Sequence, residues 1–103
     1  MSSHDSFPQR VYQILAAIPE GKVTTYGDIA SLAGSPRAAR QVGGVLKRLP
    51  EGSRLPWHRV VNRLGVLSLS GADFIRQREA LLSEGIEVSG EGKIDMLRYR
   101  WRI

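Results

Sequence analysis

The sequence predicts a mainly α fold with a small β-hairpin, organised around a helix-turn-helix of the winged-helix-like kind. Three observations predict it. An amphipathic stripe opens the chain, two helix signatures follow in immediate succession around Gly34, and a short β-type stretch surrounds Gly65.

In the first element, Phe7, Val11, Ile14, Leu15 and Ile18 recur at helical spacing and form one apolar face. Ser6 can cap it, Pro8 suits its first turn, and Pro19 with Gly21 ends it. Thr25-Tyr26-Gly27-Asp28 reads as a capping box that opens a short helix. That helix turns Ile29, Leu32 and Ala33 inward and stops at Gly34. Ser35 and Pro36 then supply an N-cap and a first-turn residue for a second helix over about 37–49.

The second helix has two distinct faces. Ala38, Val42, Val45, Leu46 and Leu49 form an apolar arc, and Arg37, Arg40, Gln41, Gly44, Lys47 and Arg48 lie opposite. No acidic residue interrupts the polar arc. A merely solvated surface more often mixes both signs, so this face favours contact with phosphates. Gly44 costs about 1 kcal/mol of helix propensity relative to alanine. Two explanations stand: close approach of the helix to a nucleic-acid strand, or tight packing of Gly43 and Gly44 inside the protein.

Beyond Pro50-Glu51-Gly52, segments 59–62 and 66–68 read as the two arms of a hairpin. Ser70-Gly71-Ala72-Asp73 is another capping box, opening a helix that Gly85 stops. Phe74, Ile75, Leu81 and Leu82 define its buried side, with Arg78 in their midst, either snorkelling or paired with a carboxylate. Leu97-Arg98-Tyr99-Arg100-Trp101-Arg102 alternates like an extended segment whose aromatics dock on the core or touch nucleic acid.

Composition narrows the function classes. A net charge of +5 and a pI of about 10.2 suit a partner that is a polyanion. With no cysteine there is no disulfide framework, no thiolate zinc site and no thiol nucleophile. No apolar run suits a membrane span, and the polar start of the chain carries no signal-peptide core. The expectation is one domain over residues 1–103, cytoplasmic and monomeric, with no cofactor, no metal and no membrane partner.

Pro56-Trp57-His58-Arg59-Val60 resembles the Pro-Cys-His-Arg-Val motif of the O6-alkylguanine-DNA alkyltransferases, with an indole in place of the thiol. Thr24-Thr25-Tyr26-Gly27-Asp28-Ile29-Ala30, Ala38-Ala39-Arg40-Gln41-Val42-Gly43-Gly44 and Ser83-Glu84-Gly85 match in order and spacing, so the resemblance covers about residues 7–87. It implies the fold of the alkyltransferase C-terminal DNA-binding domain, and specifically an alkyltransferase-like protein. An indole offers no lone pair to attack a saturated carbon, so no residue is expected to be catalytic.

The resemblance also implies roles. Tyr26 would stand at the mouth of a lesion pocket lined by Trp57, His58, Val60, Leu69 and Ser70. Carbonyls near Trp57 and Val60 would accept from the guanine amine, and the Ser70 backbone would face the O6 substituent. Arg40 would fill the space left by an extruded base while the second helix lies in the minor groove. His58 and Glu84 match the pair that activates the missing cysteine, and here read as a retained structural hydrogen bond. The implied function is a non-enzymatic sensor that binds and flips O6-alkylguanine in double-stranded DNA. It would flag the lesion for nucleotide excision repair proteins and compete with alkyltransferases. Two other readings stay open: a helix-turn-helix regulator of one operator sequence, and a hydrolase in which His58 activates water and Glu84 orients it.

Overall fold

Residues 6–102 are described by the computed structural model. The elements are α1 (Phe7–Ala17), β1 (Thr24–Thr25), α2 (Tyr26–Leu32), α3 (Ala39–Lys47), a 3-10 turn (Trp57–Arg59), β2 (Val60–Val61), α4 (Gly71–Ser83) and α5 (Met96–Tyr99). The protein is mainly helical with a short strand pair, and α2 and α3 form the helix-turn-helix. No helix among the described residues is long and apolar enough to cross a membrane.

Local signals set α1 as predicted. Ser6 Oγ accepts from the Gln9 N–H while the Gln9 side chain accepts from the Ser6 N–H, a complete capping box. Its apolar face buries Val11 and Leu15, and Ile18 follows as the C-cap. Thr25 caps α2 by accepting from the Asp28 N–H at 3.0 Å. Asp28 does not complete the box, because Arg100 holds its carboxylate through two bonds of 2.7 and 3.0 Å. Ile29, Ala30 and Ala33 point inward, whereas Leu32, predicted inward, is 46% exposed.

The predicted hairpin is replaced by longer-range pairing. β2 runs parallel to β1, with Thr24 opposite Val60 and Thr25 opposite Val61. Val66 pairs instead with Lys93 in an antiparallel bridge. A turn does form at Gly65, but Asn62 Oδ1 takes up the N–H groups of Leu64 and Val66 at 2.9 and 3.0 Å. Asn62 N–H still donates to Val66 O at 3.2 Å, but the arms go no further as a ladder and pair elsewhere. Gly65 is required there: its φ is +77°, and a Cβ would lie 2.6 Å from Met96 Cγ.

Three helix boundaries also differ from the sequence reading. Ser35 caps no helix; its carbonyl accepts from the Ala38 N–H at 2.9 Å, so a separate turn precedes α3. At the other end, Arg48 and Leu49 N–H groups reach back only three residues, to Val45 and Leu46, and tighten the chain out of the α-helix. Ser70 precedes α4 without a capping side-chain bond, since Asp73 pairs with Arg76. The buried line of α4 is Gln77 and Leu81, while Ile75 and Leu82 are exposed and Phe74 is half-buried. Among the described residues Arg78 pairs with no carboxylate; it donates to the carbonyls of Val88 and Ser89. The tail forms the single turn α5, capped by Asp95, before Arg100 bridges to Val23.

The strand pair stands between two apolar clusters. Val60 belongs to one with Val11, Leu15, Ile29, Val42 and Val45; Val61 belongs to the other with Val23, Leu67, Leu81, Ile86 and Ile94. Successive strand residues face opposite ways, so two adjacent valines join both clusters. The tail adds to the same edge: Val23 N–H donates to Tyr99 O at 2.9 Å, and Trp101 N–H to Val23 O at 2.7 Å. Tyr99 is buried in the second cluster and Trp101 packs on the first, so the aromatics dock on the core.

One carboxylate ties these parts together. Glu84, the C-cap of α4, accepts from the Gly21 N–H at 3.0 Å, from Arg59 Nε and Nη2, and lies 2.5 Å from His58 Nε2. Arg59 Nη1 also reaches the Ile18 carbonyl at 2.7 Å. Burial pushes the Glu84 carboxyl upward, but the bonds from Arg59, Gly21 and His58 outweigh it and bring its pKa from 4.5 to about 2. A depressed carboxylate stabilises the fold above its unfolded pKa and loses that contribution as pH falls through the folded one. We therefore expect about 3 kcal/mol to be lost between about pH 4.5 and pH 2. Chemical denaturation across that range checks it: Glu84→Gln should lower stability at pH 7 and remove most of the slope.

Candidate nucleic-acid interface

The basic face of α3 forms as the sequence reading required. Val42 and Val45 are buried, with Ala38, Leu46 and Leu49 packed beside them. Arg37, Arg40, Gln41, Lys47 and Arg48 are all exposed on the other side. None of the four cations takes part in an ion pair among the described residues. Other arginines are engaged internally, as Arg59 with Glu84, Arg76 with Asp73 and Arg100 with Asp28 show. Unpaired cations along α3 and just beyond its two ends present an uncompensated field to a polyanion.

Gly44 resolves one of the two explanations left open. A Cβ built at Gly43 or at Gly44 meets nothing within 4 Å, so packing inside the protein does not require either glycine. What the missing side chain leaves is room outside. Gly44 lines a groove of about 760 Å³ with Phe7, Pro8, Arg37, Arg40, Gln41, Val45 and Arg48, joining the start of α1 to the basic face.

A second set of residues gathers around the 3-10 turn. Thr25 pairs with Val61 in a parallel register, so Tyr26 leaves β1 at the end where Val61 runs on to Asn62, while the Trp57–Arg59 turn enters β2 at the other end, beside Thr24. Tyr26 is half-buried against the first cluster, which also holds Val60. Trp57 is half-buried, and its ring meets the His58 ring edge-on, centroids 6.4 Å apart at 89°. The turn is closed from within: Val60 N–H donates to Trp57 O, and Arg59 N–H to Pro56 O at 3.0 Å. Val60, expected to line the pocket, is 1% exposed with side chain and main chain together, so it presents almost no surface there. Leu69 is half-buried and Ser70 is exposed at the start of α4; among the described residues no hydrogen bond ties either side chain to Trp57 or Tyr26.

The His58–Glu84 pair predicted as a structural bond is present, but it is one contact of a larger clamp. Arg59, to which the sequence reading gave no role, makes most of the bonds to Glu84. Gln77 was missed as well. It is 2% exposed, and its Nε2 donates to the carbonyls of His58 at 3.2 Å and Val60 at 3.0 Å. Its polarity within the apolar stripe of α4, four residues before Leu81, was the signal available. Among the described residues no group of three or more His, Cys, Asp or Glu side chains could hold a metal ion.

Comparison with known proteins agrees with this geometry. The family model described as "6-O-methylguanine DNA methyltransferase, DNA binding domain" matches residues 6–86. The "DNA base-flipping protein" of Escherichia coli (strain K12) is 76% identical over 101 residues, spanning 98% of this chain and 78% of that one. "Alkyltransferase-like protein 1" of Schizosaccharomyces pombe is 41% identical over 104 residues, spanning 95% of this chain and 96% of that one. A crystal structure of S. pombe Atl1 in complex with damaged DNA containing O6-carboxymethylguanine matches with a TM-score of 0.90 and 40% identity, over 99% of this chain and 100% of that one. This chain belongs to the family of the 6-O-methylguanine DNA methyltransferase DNA-binding domain, as an alkyltransferase-like member in which Trp57 stands at the position of the reactive cysteine.

Proposed function

We propose that this protein is a non-enzymatic DNA damage sensor. It lays α3 in the minor groove of double-stranded DNA, everts an O6-alkylguanine into a pocket walled by Trp57, and releases it chemically unchanged. The observation that carries the reading is Trp57 itself, seated in an otherwise intact Pro-Trp-His-Arg-Val turn whose His58, Arg59 and Glu84 remain bonded to one another. The S. pombe relative's complex with O6-carboxymethylguanine DNA supports an adduct pocket that takes more than a methyl group.

The physics of each step fits. The minor groove carries a degenerate base code, which suits inspection of any sequence. Flipping costs a few kcal/mol and is cheapest for a damaged or mispaired base. The alkyl group adds about 0.8 kcal/mol per buried methylene against the indole and Leu69. Tyr26 serves at the pocket mouth, Ser70 near the O6 substituent, and Arg40 replaces the departed base in the stack. Arg37, Gln41, Lys47 and Arg48 hold the backbone while Gly44 lets the helix come close. Glu84, held as a carboxylate far below neutral pH and already accepting from several donors, is poorly suited to orient a hydrolytic water. On this reading the protein acts as a cytoplasmic single-domain monomer that hands lesions to nucleotide excision repair proteins and competes with alkyltransferases for them.

A labelled duplex titrated with and without one O6-methylguanine tests the reading: the lesion duplex should bind tighter and be recovered with its methyl group. Equal affinities would remove lesion recognition, and affinity confined to one sequence would favour an operator-binding regulator. Arg40→Ala should weaken the lesion duplex on the order of tenfold more than plain duplex, because it fills the flipped base's place. Lys47→Ala should weaken both alike and shallow the salt dependence by about one unit. Gly44→Ala should stabilise the fold by up to about 1 kcal/mol, since nothing inside blocks the methyl, yet weaken duplex binding. Thermal melts and titrations of the same preparations check both halves; undiminished affinity would contradict close approach of α3.

A further inference from the structure

Gln41 differs in kind from its neighbours on the α3 face. Arg37, Arg40, Lys47 and Arg48 are cations that can only donate hydrogen bonds, whereas the Gln41 amide both donates and accepts. Its side chain is exposed and makes no hydrogen bond to any described residue, so both ends of the amide are open to a ligand. Its place is central. Gly44 and Arg48 follow it by about one and two turns of α3, Arg37 stands just before the helix, and all of them line the same groove. Cations therefore stand on either side of the amide along that groove, next to the glycine from which nothing projects.

We infer that Gln41 does more than help hold the backbone: it reads the minor-groove edge of a base pair beside the everted base and favours G·C there. This inference rests on the proposed lesion-binding function. A helix seated in the minor groove meets phosphates on either side and base edges between them. Cations suit the phosphates. The groove floor offers acceptors at every pair, but a donor only where guanine carries its 2-amino group. An amide can accept from that amino group while donating to N3 of the same base; at an A·T pair only the donation remains. Arg40, which takes the departed base's place, is the adjacent residue, and consecutive Cα atoms lie about 3.8 Å apart, close to one base-pair step. The missing side chain at Gly44 lets the helix come near enough for Gln41 to touch the floor. The result is a graded bias on the surrounding sequence and not a requirement, since A·T flanks keep one of the two bonds.

The test places O6-methylguanine between G·C pairs, between inosine·C pairs and between A·T pairs; inosine is guanosine without the 2-amino group. Inosine·C is the weaker pair, and that difference cancels when two proteins are compared on the same duplex. Gln41→Leu should lose about fivefold more affinity on the G·C-flanked duplex than on either of the others, the worth of one hydrogen bond. Gln41→Lys should show the same selective deficit even though its added charge strengthens binding to every duplex. Equal changes in all three contexts would make Gln41 a backbone contact alone and overturn the inference, as would no change at all. An intact protein that fails to prefer O6-methylguanine over guanine in these same contexts would instead sink the function on which the inference rests.

Discussion

Glu84 is the constraint on which the arrangement depends. Its carboxylate gathers the loop after α1 through the Gly21 N–H, the 3-10 turn through His58 and Arg59, and its own helix α4. A buried carboxylate without partners would be neutralised or expelled. This one is held ionised by donors from three parts of the chain, and those parts cannot separate without exposing it. The Trp57 turn is consequently built on a rigid base: Arg59 anchors it to Glu84 and Ile18, and Val60 and Val61 lock it between two apolar clusters.

Charge is divided in the same spirit. The arginines that hold the fold together, Arg59, Arg78 and Arg100, are bound to carboxylates or carbonyls. Those on α3 are not, and no acidic residue lies near them along that helix. Four cations without an ion pair among the described residues thus share one face beside Gly44. The cations on the α3 face are distinct from the basic residues that hold the fold, so they can be altered with little consequence for stability.

Much of this was legible in the sequence because it depends on local rules. The Ser6 cap of α1, the stop at Gly34 and the two faces of α3 follow from periodicity and capping, which act within a few residues. The errors fall where distant partners decide. Asp28 was predicted to complete a box with Thr25, but Arg100, far along the chain, holds it. The strand around Val60 was assigned a neighbour across Gly65, whereas its partner is Thr24–Thr25, separated from it in the chain by α2 and α3. Leu32, Ile75 and Leu82 were placed inside by hydrophobicity alone, and all three are exposed. For the site, Trp57 and the basic face stood out by residue type, while Arg59 and Gln77 owe their significance to contacts across 25 and 17 residues that no local pattern encodes.

The account depends on Trp57 acting as a surface against which a guanine rests without reacting. Determining the structure of this protein bound to a duplex carrying one O6-methylguanine tests that most directly. The account predicts the modified base turned out of the helix, its ring against Trp57, Arg40 in the stack and the methyl group still on O6. A lesion still stacked in the duplex with Trp57 facing away from it, or a methyl group found on the protein, would contradict it.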